Sequence, residues 1–391
     1  MIVLIIFQYL NIMTNILITG GAGFIGSNLA LKLLAKGYKV TVLDNLSPQI
    51  HGHSPETTSP LYLSVRDKVT RFIKGDVCDP EAMAEAISGQ DAIIHLAAET
   101  GTGQSMYQIE RYTRINIGAT ALMLDYLTNQ PHSVKKVMIA SSRAIYGEGK
   151  YISEELGAVY PEARADEEMA KGNFEVQYPG CRAPLRLVAT DEESKIHPTS
   201  VYGITKQNQE QMVMTVCKAI GISPVALRYQ NVYGPGQSLS NPYTGILSIF
   251  SNLIKLKKNI NIFEDGKESR DFVYISDVVD ATVLALEKEA ANGQVFNVGA
   301  GVATTVTEIT EMLLKEYASD CTYAITGNYR IGDIRHNFAD ISRIKSLLGF
   351  EPKVSIAQGI HRFAEWVSGQ PAQEDKYSKS LKEMESKGLY K

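Results

Sequence analysis

Short β-branched runs alternate with helix-length stretches over most of the first 230 residues. Apolar runs that read as buried strands cover residues 16–19, 39–43, 70–74, 92–95, 136–140 and 223–228. Between them, residues 25–36, 80–87, 116–128 and 202–219 place apolar side chains at helical spacing. Such alternation predicts βαβ units, hence an α/β fold with a doubly wound parallel sheet and helices on both faces. The stretches 116–128 and 202–219 are apolar on more than one side, through Ile117, Ala121, Leu122, Leu124 and Leu127 and through Met212, Val213 and Val216. One side of each would pack on the sheet. The other is expected to pair with the same helices of a second copy, giving a homodimer.

Two regions break the alternation. Residues 148–199 are rich in Glu, Pro, Gly and Ala and read as an insertion running over the surface. From about Tyr233 the chain is loop-rich, then helical, and returns to a strand at 271–275. At 391 residues the chain exceeds the roughly 100–200 expected of one domain. The division expected is a first domain of 13–232 with 271–300, and a smaller α/β C-terminal domain of 233–270 with 301–369. Residues 370–391 read as a charged, frayed tail without chemistry. The apolar stretch 1–12 lacks basic residues before it and is shorter than the ~20 residues that span a bilayer. It is expected to be an upstream extension, with Met13 as the start; a membrane-surface anchor is the alternative.

Composition narrows the function. Apolar content of 44% and charged content of 21% are ordinary for a soluble globular protein, with no membrane partner expected; the cytoplasm is expected from the sparse cysteines below. A net charge of −4 gives no electrostatic case for nucleic acid. An anionic ligand would have to be held by a few local cations and backbone amides. Cys78, Cys181, Cys217 and Cys321 are scattered with no CxxC pair, as expected of a reducing compartment and no metal site.

Gly20, Gly23 and Gly26 follow the first strand and open a helix, with Phe24 and Ile25 between the last two. In a strand–turn–helix setting this spacing is a dinucleotide-binding loop. It combines a tight turn, a close backbone approach to pyrophosphate and helix amides aimed at it, on a Rossmann fold. Asp44 ends the second strand eighteen residues past Gly26, where a carboxylate meets the adenosine ribose. Asn45 follows it and no Arg does, so NAD is expected over NADP. Asp76 and Val77 after the third strand, and Leu96, Ala97 and Ala98 after the fourth, converge on the same crevice.

Tyr202 and Lys206 stand four residues apart at the start of a helix, on one face. A phenol titrates near 10, and a neighbouring ammonium together with a positive nicotinamide favours the phenolate. Lowering it by roughly three units takes about 4 kcal/mol. Ser142, at the end of the strand at 136–140, can donate to the same substrate oxygen. A Tyr-x-x-x-Lys pair alone is common on surface helices; the glycine loop and the serine make it a candidate catalytic triad.

The chain resembles the epimerase/dehydratase family of extended short-chain dehydrogenases over roughly residues 14–366. The motifs that carry it are Thr-Gly-Gly-Ala-Gly-Phe-Ile-Gly (19–26), His-Leu-Ala-Ala (95–98), Ser-Ser-Arg-Ala-Ile-Tyr-Gly (141–147), Tyr202 with Lys206, Arg-Tyr-Gln-Asn-Val-Tyr-Gly-Pro-Gly (228–236) and Arg-Asp-Phe-Val-Tyr-Ile-Ser-Asp-Val (270–278). The resemblance implies that Ser142, Tyr202 and Lys206 move a proton on a sugar hydroxyl while NAD takes a hydride from the same carbon. It places Asn116, Ser141 and Tyr229 at the cofactor. It implies a nucleoside diphosphate sugar held by Asn231, Arg270 and Arg330, with Asp333 at the nucleotide ribose and Arg143 beside Ser142. Dehydratases of the family carry an Asp-Glu pair where this chain has Arg143-Ala144. That difference favours 4-epimerisation through a 4-keto sugar. Residues 99–106, 142–149 and 229–247 look like the dTDP-L-rhamnose 4-epimerase group, which makes dTDP-6-deoxy-L-talose; of that group's paired-cysteine turn only Cys181 is present. A UDP-hexose or UDP-uronate 4-epimerase remains open, then a dehydratase or a non-catalytic dinucleotide binder.

Overall fold

The computed structural model describes residues 13–243 and 245–391; the expectation for residues 1–12 lies outside them. Seven strands form one parallel sheet: β1 (Asn15–Thr19), β2 (Lys39–Asp44), β3 (Arg71–Lys74), β4 (Ala92–His95), β5 (Lys136–Ser142), β6 (Ser223–Tyr229) and β9 (Val295–Val298), in the order β9-β6-β5-β4-β1-β2-β3. β7 (Asn231–Tyr233) and β8 (Ser269–Tyr274) lie between β6 and β9 in the chain and belong to a second sheet. Parallel strands covered on both faces must be apolar throughout, and β1, β4 and β5 are buried along nearly their whole length. The order reverses between β1 and β4, and there the carboxyl ends of the strands open a crevice. The α/β doubly wound expectation is met.

Helix α1 (Phe24–Ala35) follows the glycine loop; α2 (Ala119–Asn129) and α3 (Val201–Ala219) pack side by side on the sheet. Ser200 caps α3, its hydroxyl accepting from the Gly203 amide at 3.1 Å, which fixes where the helix begins and therefore where Tyr202 stands. Before α2 the chain winds as a π-helical turn, Thr113–Gly118, and Asn116 sits in that turn. The second sheet pairs β7 with β8 in parallel, and β8 with Ala303–Thr305 and His336–Asn337. Among the described residues no helix is long and apolar enough to cross a membrane.

Two expectations are refined. Residues 148–199 run largely over the surface, as expected, but they carry a small antiparallel sheet of Tyr151–Ser153, Gly157–Val159 and Arg186–Leu187, and a few of their charged side chains turn inward. Glu148 and Arg164 are almost fully buried because they pair with each other and with Glu264, so their polarity signalled an internal ion network. Residues 370–391 are not frayed. They hold helix α4 (Lys376–Glu385), capped by Asp375, with Ser380 and Met384 buried beneath it.

Candidate active site

One cavity of about 540 Å³ runs from the glycine loop, past the ends of β4, β5 and β6, into the second sheet. At its first end, Gly20 has φ +70°, and a Cβ there would come within 2.8 Å of the Ala97 amide nitrogen. A Cβ on Gly26 would collide with the Gly20 carbonyl. Neither position accepts a side chain, and the cradle fits a pyrophosphate on the start of α1. Asp44 lines the cavity and accepts from the Ala22 amide at 3.0 Å and the Leu46 amide at 2.9 Å. A carboxylate has about four acceptor sites, so two remain for ribose hydroxyls. Burial pushes the Asp44 carboxyl up, and the Leu46 amide, His51 and the Ala22 amide oppose that.

Gly23, Phe24, Ile25, Asn45, Val77, Leu96, Ala97, Ala98, Ser141 and Tyr229 all line the same cavity. Two expected cofactor residues do not. Asp76 is turned to the Cys78 amide at 2.8 Å and the Asn45 side chain at 3.1 Å, which orients Asn45 in its place. Asn116 is fully buried: its Oδ1 accepts from the Glu99 amide at 2.8 Å, and its Nδ2 donates to the Glu99 carbonyl at 3.1 Å and to Thr205 Oγ1 at 2.9 Å. Thr205 in turn donates to the Tyr202 carbonyl at 2.8 Å. Asn116 therefore ties the loop after β4 to the helix that carries Tyr202. Ser141 and Tyr229 face the cavity with their hydroxyls engaged elsewhere, Ser141 on Glu210 at 2.5 Å and Tyr229 with Thr282 at 2.8 Å.

Ser142, Arg143, Tyr202 and Lys206 meet at the middle of the cavity. Lys206 is buried, donates to the Ala140 carbonyl at 3.0 Å, and is lowered by burial to about 7. Burial raises the Tyr202 phenol, and the Ser142 hydrogen bond and the Arg143 charge pull against that rise. The expected lowering is thus absent from the protein alone. Beneath them, Thr120 gives its proton to the Asn116 carbonyl at 2.7 Å, so His95 Nε2 donates to Thr120 at 3.2 Å and Nδ1 accepts from Thr19 at 2.7 Å. Burial, and then the Lys206 charge, lower His95 to about 3, so it stays neutral.

The far end is crowded with charge. Arg143 donates to Asn231 Oδ1 at 2.7 Å and is lowered to about 10 by burial and by Arg270. Arg330 donates to Asp333 at 2.6 Å and stands 5.4 Å over the Phe263 ring. Burial would raise Asp333, but Arg330, Arg270, Arg143 and Arg164 together hold it well below the ordinary carboxylate range. Arg270 donates to the Ser269, Arg335 and Ile334 carbonyls and to Asp333. It lines the cavity and also braces the loop carrying Asp333. Behind it the Arg335 guanidinium, fully buried, reaches Glu264 at 2.9 Å, Glu175 at 2.6 Å and Asp265 at 2.7 Å. Phe263, Glu264, Glu268 and Tyr377 line this end and went unnoticed in the sequence. Only the aromatic at 263, just before the acidic turn, offered a signal.

The family model for the NAD dependent epimerase/dehydratase family matches residues 16–164 and 177–299. The chain belongs to that family. A dTDP-L-rhamnose 4-epimerase of Burkholderia thailandensis is 37% identical over 356 residues, covering 90% of this chain and 95% of that one. Among solved structures, a UDP-glucose 4-epimerase of Thermotoga maritima with UDP-glucose superposes with a TM-score of 0.72 at 30% identity, over 91% of this chain and 99% of its own. A UDP-glucuronic acid 4-epimerase of Bacillus cereus, in complex with UDP-glucuronic acid and NAD, gives 0.74 at 26% identity, over 91% and 99%. The cofactor of this family member is NAD, and it is an enzyme of the sugar-nucleotide epimerase type.

Proposed function

We propose that this enzyme inverts C4 of a nucleoside diphosphate sugar, with dTDP-L-rhamnose converted to dTDP-6-deoxy-L-talose as the leading substrate pair. One observation carries the reading. A single cavity joins Ser142, Tyr202 and Lys206 to Arg143, Asn231, Arg330 and Asp333, with the glycine cradle opening on the same space. NAD, when bound, accepts the C4 hydride and returns it. Tyr202 takes the C4 hydroxyl proton, with Ser142 donating to the same oxygen and Lys206 stabilising the phenolate once the site is charged. Once the 4-keto sugar has turned its other face to the cofactor, Tyr202 would return the proton to the C4 oxygen. Arg143 and Ala144 after Ser142 supply no acid pair for eliminating water, which supports epimerisation over dehydration. The relative from Burkholderia thailandensis supports the rhamnose nucleotide. UDP-hexose or UDP-uronate 4-epimerisation is the second reading, supported by the two solved neighbours. We also propose a homodimer through α2 and α3, whose outer side chains Leu122, Tyr126, Met212 and Val216 are only part-buried, and a division of the chain into the two domains expected from sequence.

The test is a panel of dTDP- and UDP-sugars incubated with the purified protein. One 4-epimer pair should interconvert without net change in NAD. Inertness toward every sugar in the panel would sink the proposal.

A further inference from the structure

Residues 371–391 pack against the outer side of the cavity's far end and put Tyr377 into its wall. Tyr377 lines the space with Phe263, Arg330 and Asp333, and none of the hydrogen bonds among the described residues involves its phenol. On one side the segment is anchored to the stretch just after β4. Met384 is buried against Gly103, where a Cβ would lie 2.9 Å from the Met384 sulfur. Lys387 stands 5.2 Å over the Tyr107 ring. Tyr107 donates to the Tyr243 oxygen at 3.0 Å, and Tyr243 donates to Glu383 at 3.2 Å. On the other side the segment meets residues 329–331, which bear Arg330, in an isolated antiparallel bridge between Arg330 and Tyr390. The Ile331 amide reaches the Leu389 carbonyl at 3.0 Å, the Tyr329 amide reaches the Lys391 carbonyl at 2.9 Å, and the Tyr390 ring lies 5.2 Å from Phe263.

Both anchors back functional groups. Ser105, two residues past Gly103, accepts from the Tyr202 amide at 3.0 Å and so holds the start of α3. The other anchor holds Arg330 from outside. We propose that residues 371–391 are a strap over the substrate and that Tyr377 contacts its nucleoside. A flat, amphipathic ring among Phe263, Arg330 and Asp333 suits a base and ribose. The strap's hold on residues 102–107 must then break for substrate to enter or leave. This rests on the nucleotide-sugar reading given above.

The test uses the NAD-loaded, full-length protein and two probes, dTDP and UDP, with affinities from calorimetry and backbone protection from hydrogen exchange. Tyr377→Ala should weaken the better-bound probe by about tenfold or more, while Tyr377→Phe, which keeps the ring, stays within about threefold. Glu383→Ala with Lys387→Ala, neither of which lines the cavity, should speed probe dissociation about fivefold or more, the affinity loss appearing in the off-rate. Amides of α4 should gain protection when probe binds. Affinity within twofold for Tyr377→Ala, or α4 amides indifferent to the probe, overturns the strap and leaves the nucleotide-sugar reading standing. Wild-type protein that binds neither probe overturns both.

Discussion

The two ends of the cavity are built on opposite principles. Around Tyr202 and Lys206 the walls are dry and sparsely charged, so each ionisable group sits far from its ordinary state: the phenol raised, the ammonium at about 7, His95 neutral. Around Asp333 the charges are just as buried but answered several times over, by Arg330, Arg270 and Arg164, with Glu148, Glu264 and Arg335 behind them. The first arrangement costs stability and keeps protons movable. The second fixes side-chain positions, as the proposed binding of a ligand whose charge never changes during turnover requires. Catalysis needs a group whose protonation can be tipped; binding needs one that cannot.

The sharpest way to break this contrast is at Tyr202. Tyr202→Phe should lower kcat by about 10²–10⁴, the usual worth of a positioned acid–base group, with NAD still bound, as read by initial rates and by the nucleotide released on denaturation. At the other end, Arg335→Met leaves Glu264, Glu175 and Asp265 without their buried partner. It should cost about 3–5 kcal/mol in denaturant unfolding, whereas Lys206→Met, which removes an uncompensated charge, should leave stability unchanged or higher while abolishing turnover. An Arg335 variant as stable as wild type would mean the network is not structural. Arg330→Lys keeps the charge and loses the fork; KM for the sugar nucleotide should rise about tenfold with kcat little altered.

The smallest effect concerns pH. Burial raises Glu268 to about 7, and its Oε2 has no hydrogen-bond partner among the described residues. A carboxyl whose folded pKa lies above its unfolded one binds more protons when folded. Its contribution is therefore complete below pH 4.5 and lost as pH rises through 7. Glu268→Gln should flatten the fall in Tm between those two values, by a few degrees at most. An unchanged slope would show that Glu268 finds a partner in solution.

The two ends also differed in how legible they were. Gly20, Gly23, Gly26 and Asp44 lie within one βαβ unit, where local turn chemistry and strand period fix their relations, and sequence spacing alone located them. Ser142, Tyr202 and Lys206 were found because each sits at a strand end or on one helix face. Arg330 and Asp333 were reached only through the family resemblance. Glu264, Glu268, Arg164 and Tyr377 were not reached at all, because nothing local to each distinguishes a solvated polar side chain from one folded inward against a partner up to a hundred residues away, as Arg164 is against Glu264. Asn116 and Asp76 show another limit of sequence: it reaches the neighbourhood, since Ile115, Gly75 and Val77 line the cavity, but not that these side chains hold Tyr202's helix and Asn45.

The order of β1 to β5 along the chain has a consequence in time. The strands that frame the glycine cradle are all synthesised by residue 142, and they neighbour one another in space. Arg330, Asp333 and the strap follow almost two hundred residues later. A nascent chain can therefore assemble its dinucleotide pocket while the walls that admit a sugar do not yet exist, as domains generally form in the order they emerge. The glycine cradle can thus be framed before Tyr202, Lys206 and the far wall of the cavity have been made.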